Sequence, residues 1–250
     1  MVAVTVESGR RSAHRFYVGV AAASVLIAFG GFIPTYWAKL ATGTFTGAPI
    51  NHIHGALFFT WTLFFFAQTW LVAAGRTPDH RMWGMAGISL GTAMAISIVL
   101  GSIDSIRSAP PEFLDRARQF AIVPLFALVI FVVYFALAIA KVKKPETHKR
   151  LMLIALVPLM HAAIFRIFKL LFAPPDAVGP PPAGLSFAPG LVADLFIVAA
   201  MIRDWRVEGR VHPVYKIGLP VLIVQEFLNG PLSMTSGWMS VAKWVESLAG

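Results

Sequence analysis

Phe120-Ala-Ile-Val-Pro-Leu-Phe-Ala-Leu-Val-Ile-Phe-Val-Val-Tyr-Phe-Ala-Leu-Ala-Ile-Ala140 runs for 21 residues without a charged side chain and stops at Lys141, Lys143 and Lys144. A helix of about 20 apolar residues spans the ~30 Å of hydrocarbon in a bilayer, and no soluble fold needs such a run. Six further stretches read the same way: Phe16–Trp37, Ile50–Ala74, Met82–Ser102, Leu151–Phe172, Phe187–Ile202 and Val214–Leu228. The composition agrees, with 57% hydrophobic and 13% charged residues; a soluble domain carries about 25% charged residues. The fold expected is an all-α, polytopic bundle of seven transmembrane helices. A polar arm over residues 1–15 precedes the bundle (16–230), and a helix at 231–250 follows it.

The basic residues orient the chain. With the N-terminus inside, the inner segments hold 14 of the 21 lysines and arginines but only five of the 12 acids. The whole +9 charge therefore falls on one face, as the positive-inside rule expects. That accounts for the basic character without nucleic acid and gives an N-in, C-out topology in a bacterial inner membrane. The arm MVAVTVESGRRSAHR is too polar for the apolar part of a cleaved signal, so the first span reads as a signal anchor. Membrane lipids, and other membrane subunits, are the expected partners.

Within the spans, Gly84, Gly87, Gly91 and Ala95 permit close helix approach, and Pro124, Pro158 and Pro220 lie inside helices. Ala173–Pro189 holds six prolines and reads as an extended outer loop. In 231–250, Met234, Trp238, Val241, Val245 and Leu248 form one apolar stripe. Such a helix either lies in the membrane interface or packs on the protein's own outer loops.

Three inner turns share a pattern: Arg76-Thr-Pro-Asp-His80-Arg81, Lys144-Pro-Glu-Thr-His148-Lys149-Arg150 and Gly209-Arg210-Val-His212-Pro213. The plain reading is orientation charge plus a histidine that caps each turn; the functional one is three histidines converging on an inner site.

Polar groups inside spans cost about 2.5–3.5 kcal/mol each on insertion scales and mark sites by default. They are His52 and His54, Asp104 and Arg107, His161, Arg166 and Lys169, Asp194, and Gln225, Glu226 and Asn229. Asp104 and Arg107 are spaced for an ion pair on one face. His54, Phe58, Trp61, Phe65 and Gln68 share a helical face. His52 points about 200° away from His54, which makes His54 the inward candidate. A metal site for iron or zinc would draw on His54, His161, Asp194 and Glu226. A haem or quinone site would draw on His54, His161, Trp61, Gln68 and Arg166. A structural network and a solute pathway are the remaining uses of the same residues.

The sequence lacks cysteine, and with it disulfides, thiolate metal sites and iron–sulfur clusters. It has no phosphate loop, nucleophile elbow or histidine box, and no mid-membrane lysine for a retinal Schiff base.

His54-Gly55, Trp61, Gln68, Arg76, His80-Arg81 and Gly84, followed by His148-Lys149-Arg150-Leu151-Met152 and Arg166, resemble a group of uncharacterised bacterial polytopic membrane proteins. That group has a histidine and a glutamine on one helix, then an H-R-x-x-G turn and an H-R-x-M turn. The likeness covers roughly residues 50–170. Lys149 interrupts the second motif, and the third turn lies outside it. The resemblance implies a four-helix core with additions and carries no activity. Cytochrome-b561-type bundles, which hold haem between histidines, are similar in architecture alone. The functional expectation is a cofactor- or metal-dependent redox protein, with a small-solute transporter or channel, or an accessory subunit of a membrane complex, as alternatives.

Overall fold

The computed structural model describes the backbone of residues 2–174 and 176–248, with side chains from residue 14 onward. Most side chains of the expected arm, and residues 175, 249 and 250, lie outside the described residues. Those described form helices and connections, with no strand among them. Among the described residues six segments are long and apolar enough to cross a membrane, and a bent helix pair passes the same test when its two helices are taken together. The chain is a multi-pass, all-α membrane protein.

It divides into two compact units, residues 1–97 and 98–250. In the first, α1 (Val2–Gly31) packs against α3 (Pro49–Ala73). Between them, a π-helical turn at Ile33–Trp37 contains Pro34 and leads into the short α2 (Ala38–Ala41). Trp37 N–H reaches back five residues to Phe32 O at 3.2 Å. The widened turn turns Tyr36 and Trp37 towards the rings of Phe29 and Phe59. α3 starts at a proline, whose missing N–H costs nothing in a first turn. α4 (Thr77–Arg107) runs from the first unit into the second. Of its small residues, Gly87 lies so close to Phe64 that an added Cβ would stand 2.7 Å from the ring.

In the second unit, α5 (Leu114–Phe120) and α6 (Ile122–Ala140) are separated at Ala121. Pro124 therefore sits in the first turn of α6, where no intrahelical donor is lost. α7 (Pro145–Phe172) is the centre: it packs on α6, α8 (Phe187–Glu208) and α9 (Pro213–Ser233). From Leu153 to His161 every side chain of α7 is buried, as expected of a helix that is apolar all round. α8 is six residues longer than the sequence suggests, and a 3₁₀ turn at Ala183–Ser186 shortens the proline-rich connection before it.

α9 turns through 90° into α10 (Ser236–Ser247). Thr235 caps α10 by accepting from Trp238 N–H at 3.2 Å. α10 then docks on α5: Trp238 Nε1 donates to Arg118 O at 2.9 Å, and Arg118 Nε meets Glu246 at 2.9 Å. Its buried face is Trp238, Ala242 and Val245, while Met234, Val241 and Leu248 are exposed. This corrects the expected stripe: the contact is centred on small Ala242, which lets the helix approach closely.

Candidate buried carboxyl site in the second unit

Helical periodicity on α7, α8 and α9 lines up two polar layers with an apolar one between. On α9 the buried residues are Tyr215, Gly218, Leu222, Glu226, Asn229 and Ser233, a single face. On α8 they include Gly190, Asp194, Ile197, Ala200 and Asp204. Counting from Arg150, Asp204 and Tyr215, each helix rises ten or eleven residues, about 15 Å, to His161, Asp194 and Glu226.

At the lysine-rich end the guanidinium of Arg150 is saturated. Arg150 is 0% exposed and Asp204 is 0% exposed. Arg150 Nε and Nη2 form a fork onto the two Asp204 oxygens, each at 2.8 Å. Nη2 also reaches Glu208 at 2.8 Å, and Nη1 donates to the Glu146 carboxylate at 2.6 Å and its carbonyl at 2.8 Å. All five guanidinium N–H groups are used. The Tyr215 ring lies 5.9 Å from the guanidinium carbon, and Arg203 bridges Asp204 and Glu208. The layer beyond is apolar: Ile154, Val157, Ile197, Ala200 and Leu222 are buried there. Gly218 meets Ile154 so tightly that a Cβ would overlap it.

The far layer is the opposite of saturated. Asp194 is 2% exposed and Glu226 5%. Neither Asp194 oxygen has a hydrogen-bond partner, and neither does Glu226 Oε2. The Glu226 carboxyl rests on the backbone of Gly190, where a Cβ would overlap it, and Asp194 follows Gly190 by one turn on the same helix. Around the pair, Ser186 Oγ accepts from Asn229 Nδ2 at 3.3 Å, and Asn229 Oδ1 accepts from Gln225 at 2.9 Å.

The expected counter-charges stand elsewhere. His161 is buried and donates Nε2–H to the Ser186 carbonyl at 2.7 Å, rather than to Asp194 or Glu226. Arg166 turns back along its own helix to Ala162 O at 2.9 Å, and Lys169 is exposed. A buried backbone carbonyl drew the histidine because it needs a donor as much as a carboxylate does.

The other candidates belong to the first unit. His54 Nδ1 pairs with Ser97 Oγ at 3.1 Å, and its ring packs on Phe58 at 4.3 Å. Trp61 and Gln68 are buried on the same helix, and Gln68 Oε1 has no hydrogen-bond partner. His52, as its spacing suggests, points away and meets Tyr36 Oη at 3.0 Å. Among the described residues no group of three or more histidine or acidic side chains gathers in a form that could hold a metal ion.

At the basic turns, His148 Nδ1–H donates to Ala138 O at 2.8 Å, and His212 Nδ1 accepts from Val214 N–H at 3.2 Å. Both act as caps. The Arg150–Asp204 fork escaped the sequence reading, which took both residues for orientation charge. The signal was available: Asp204 continues the spacing of Ile197 and Ala200 on the apolar face of α8.

No family model matches the chain, and no curated protein or solved structure resembles it closely enough to count as a relative. Its function rests on its own residues.

Proposed function

We propose that this multi-pass membrane protein takes up and releases a small cation at Asp194 and Glu226, as the coupling site of a transporter for a small solute or ion. The contrast between the two layers carries this reading. Where the fold needs a buried charge for structure, at Arg150, every donor is satisfied. At Asp194 and Glu226, three carboxyl oxygens have no donor. Two ionised carboxylates in that position would cost several kcal/mol per ion, so the pair is neutralised by a cation that comes and goes. Buried acids without fixed partners are what ion pathways and proton relays require of a membrane bundle.

Flux in liposomes reconstituted with the full chain tests the proposal. The wild type should dissipate an imposed proton or alkali-cation gradient, and D194N/E226Q should lose that flux. Equal flux through both proteins would refute it.

The redox alternative calls for a metal, haem or quinone bound by His54 and His161 with their neighbours. His161 Nε2 is engaged by Ser186, so ligation through that atom requires the bond to break. A Soret band, or stoichiometric iron or zinc in the purified protein, would move the function to electron transfer.

A further inference from the structure

We propose, building on the cation-site reading above, that the ion carried by Asp194 and Glu226 is the proton, and that the pair exchanges it through the far end of α9. The donor set favours a proton over a metal cation: calcium takes six to eight oxygens, the two carboxyls supply four, and among the described residues no third histidine or acidic side chain joins them in a form that could hold a metal. The neighbouring neutral oxygens are committed, Ser186 Oγ to Asn229 and Asn229 Oδ1 to Gln225. Backbone closes another side, because Gly190 lies directly against the Glu226 carboxyl. A proton needs a single carboxyl oxygen, and the two buried carboxyls, close enough for Asp194 to bear on Glu226, supply it.

The surroundings supply no competing charge. Asp194 is the charged group that bears on Glu226. From α7 the titratable neighbour is His161, tied to the Ser186 carbonyl. α6 contributes Tyr134 and no charged residue, and the 3₁₀ turn at Ala183–Ser186 contributes none.

The route is polar in one direction only. Towards the far end, the buried face of α9 continues from Glu226 to Asn229 and Ser233, with Ser186 alongside. Towards the lysine-rich end the same face passes to Leu222 and Gly218, with Gly218 pressed on Ile154. Serine hydroxyls can pass a proton on, and a polar face can admit water where an apolar one cannot; the proton cannot cross that apolar layer without a rearrangement.

Infrared difference spectroscopy between acid and alkaline buffer, on the full chain in lipid, tests this. The wild type should show a protonated-carboxyl C=O band that shifts in D₂O and ignores saturating sodium, potassium, calcium or zinc. The band should weaken in E226Q, disappear in D194N/E226Q and return in E226D, with near-ultraviolet dichroism confirming that each variant is folded. A band abolished at fixed pH by one of those metal ions would overturn the proton assignment and leave the cation site standing. Absence of any band, together with flux unaffected by the double substitution, would overturn both.

Discussion

Arg150 shows what this bundle demands of a buried charge that holds structure. Its guanidinium is spent wholly on Asp204, Glu146 and Glu208, so removing it strands Asp204 in the core. Arg150→Ala should cost about 3–5 kcal/mol, the range for an orphaned buried ion. Replacing both partners, as R150M/D204L, should restore most of that loss, because apolar groups of similar volume suit the site. Unfolding in mixed micelles measures both, and a double variant no better than R150A would show that the network does more than neutralise itself. The Asp194–Glu226 pair is the opposite case, and the sequence did reveal it. Acids in the middle of apolar runs are visible by inspection. Which cation would face them was not visible, because that depends on the side-chain reach of Arg166 and on Ser186, a residue with no charge to announce it.

At the scale of helices, the apolar runs located the spans, and the helices extend past them into polar flanks, as α7 does from Leu151 back to Pro145. α9 begins at Pro213 because His212 caps it, its Nδ1 accepting from Val214 N–H. Burial, and then the positive charge of Arg150, hold the His212 imidazole below its ordinary range. A histidine whose folded pKa is depressed contributes stability above its unfolded value, about 6.5, and loses it as pH falls through the folded one. Protonated Nδ1 is a donor and cannot cap. Thermal stability should therefore drop on acidification below about pH 6.5. His212→Asn, which keeps an accepting oxygen at the cap, should flatten that dependence, and an unchanged acid-side slope would assign it to another group. α10 shows the limit of reading by period. The large apolar residues predicted a stripe through Val241, yet the contact runs through Ala242, and a pattern weighted by bulk passes over the alanine on which close packing depends.

For the molecule as a whole, the number of crossings follows from how the α9–α10 corner is counted. Six segments cross by length and composition, and α9 qualifies together with α10, at 90° to it. If α9 crosses fully, the turn between α6 and α7 and the helix α10 lie on opposite sides of the bilayer. If α9 re-enters, they share a side. The contacts of α10 favour crossing: Glu246 pairs with Arg118 on α5, which precedes α6, whereas the lysines of 141–144 follow it at the other end. The absence of cysteine from the sequence allows a direct test. In intact cells, a membrane-impermeant maleimide should label Lys243→Cys on exposed α10, while Lys143→Cys should react only after permeabilisation. Labelling of both positions from the same side would contradict the docking of α10 on α5, and with it the opening of the polar stripe from Glu226 to Ser233 away from the lysines.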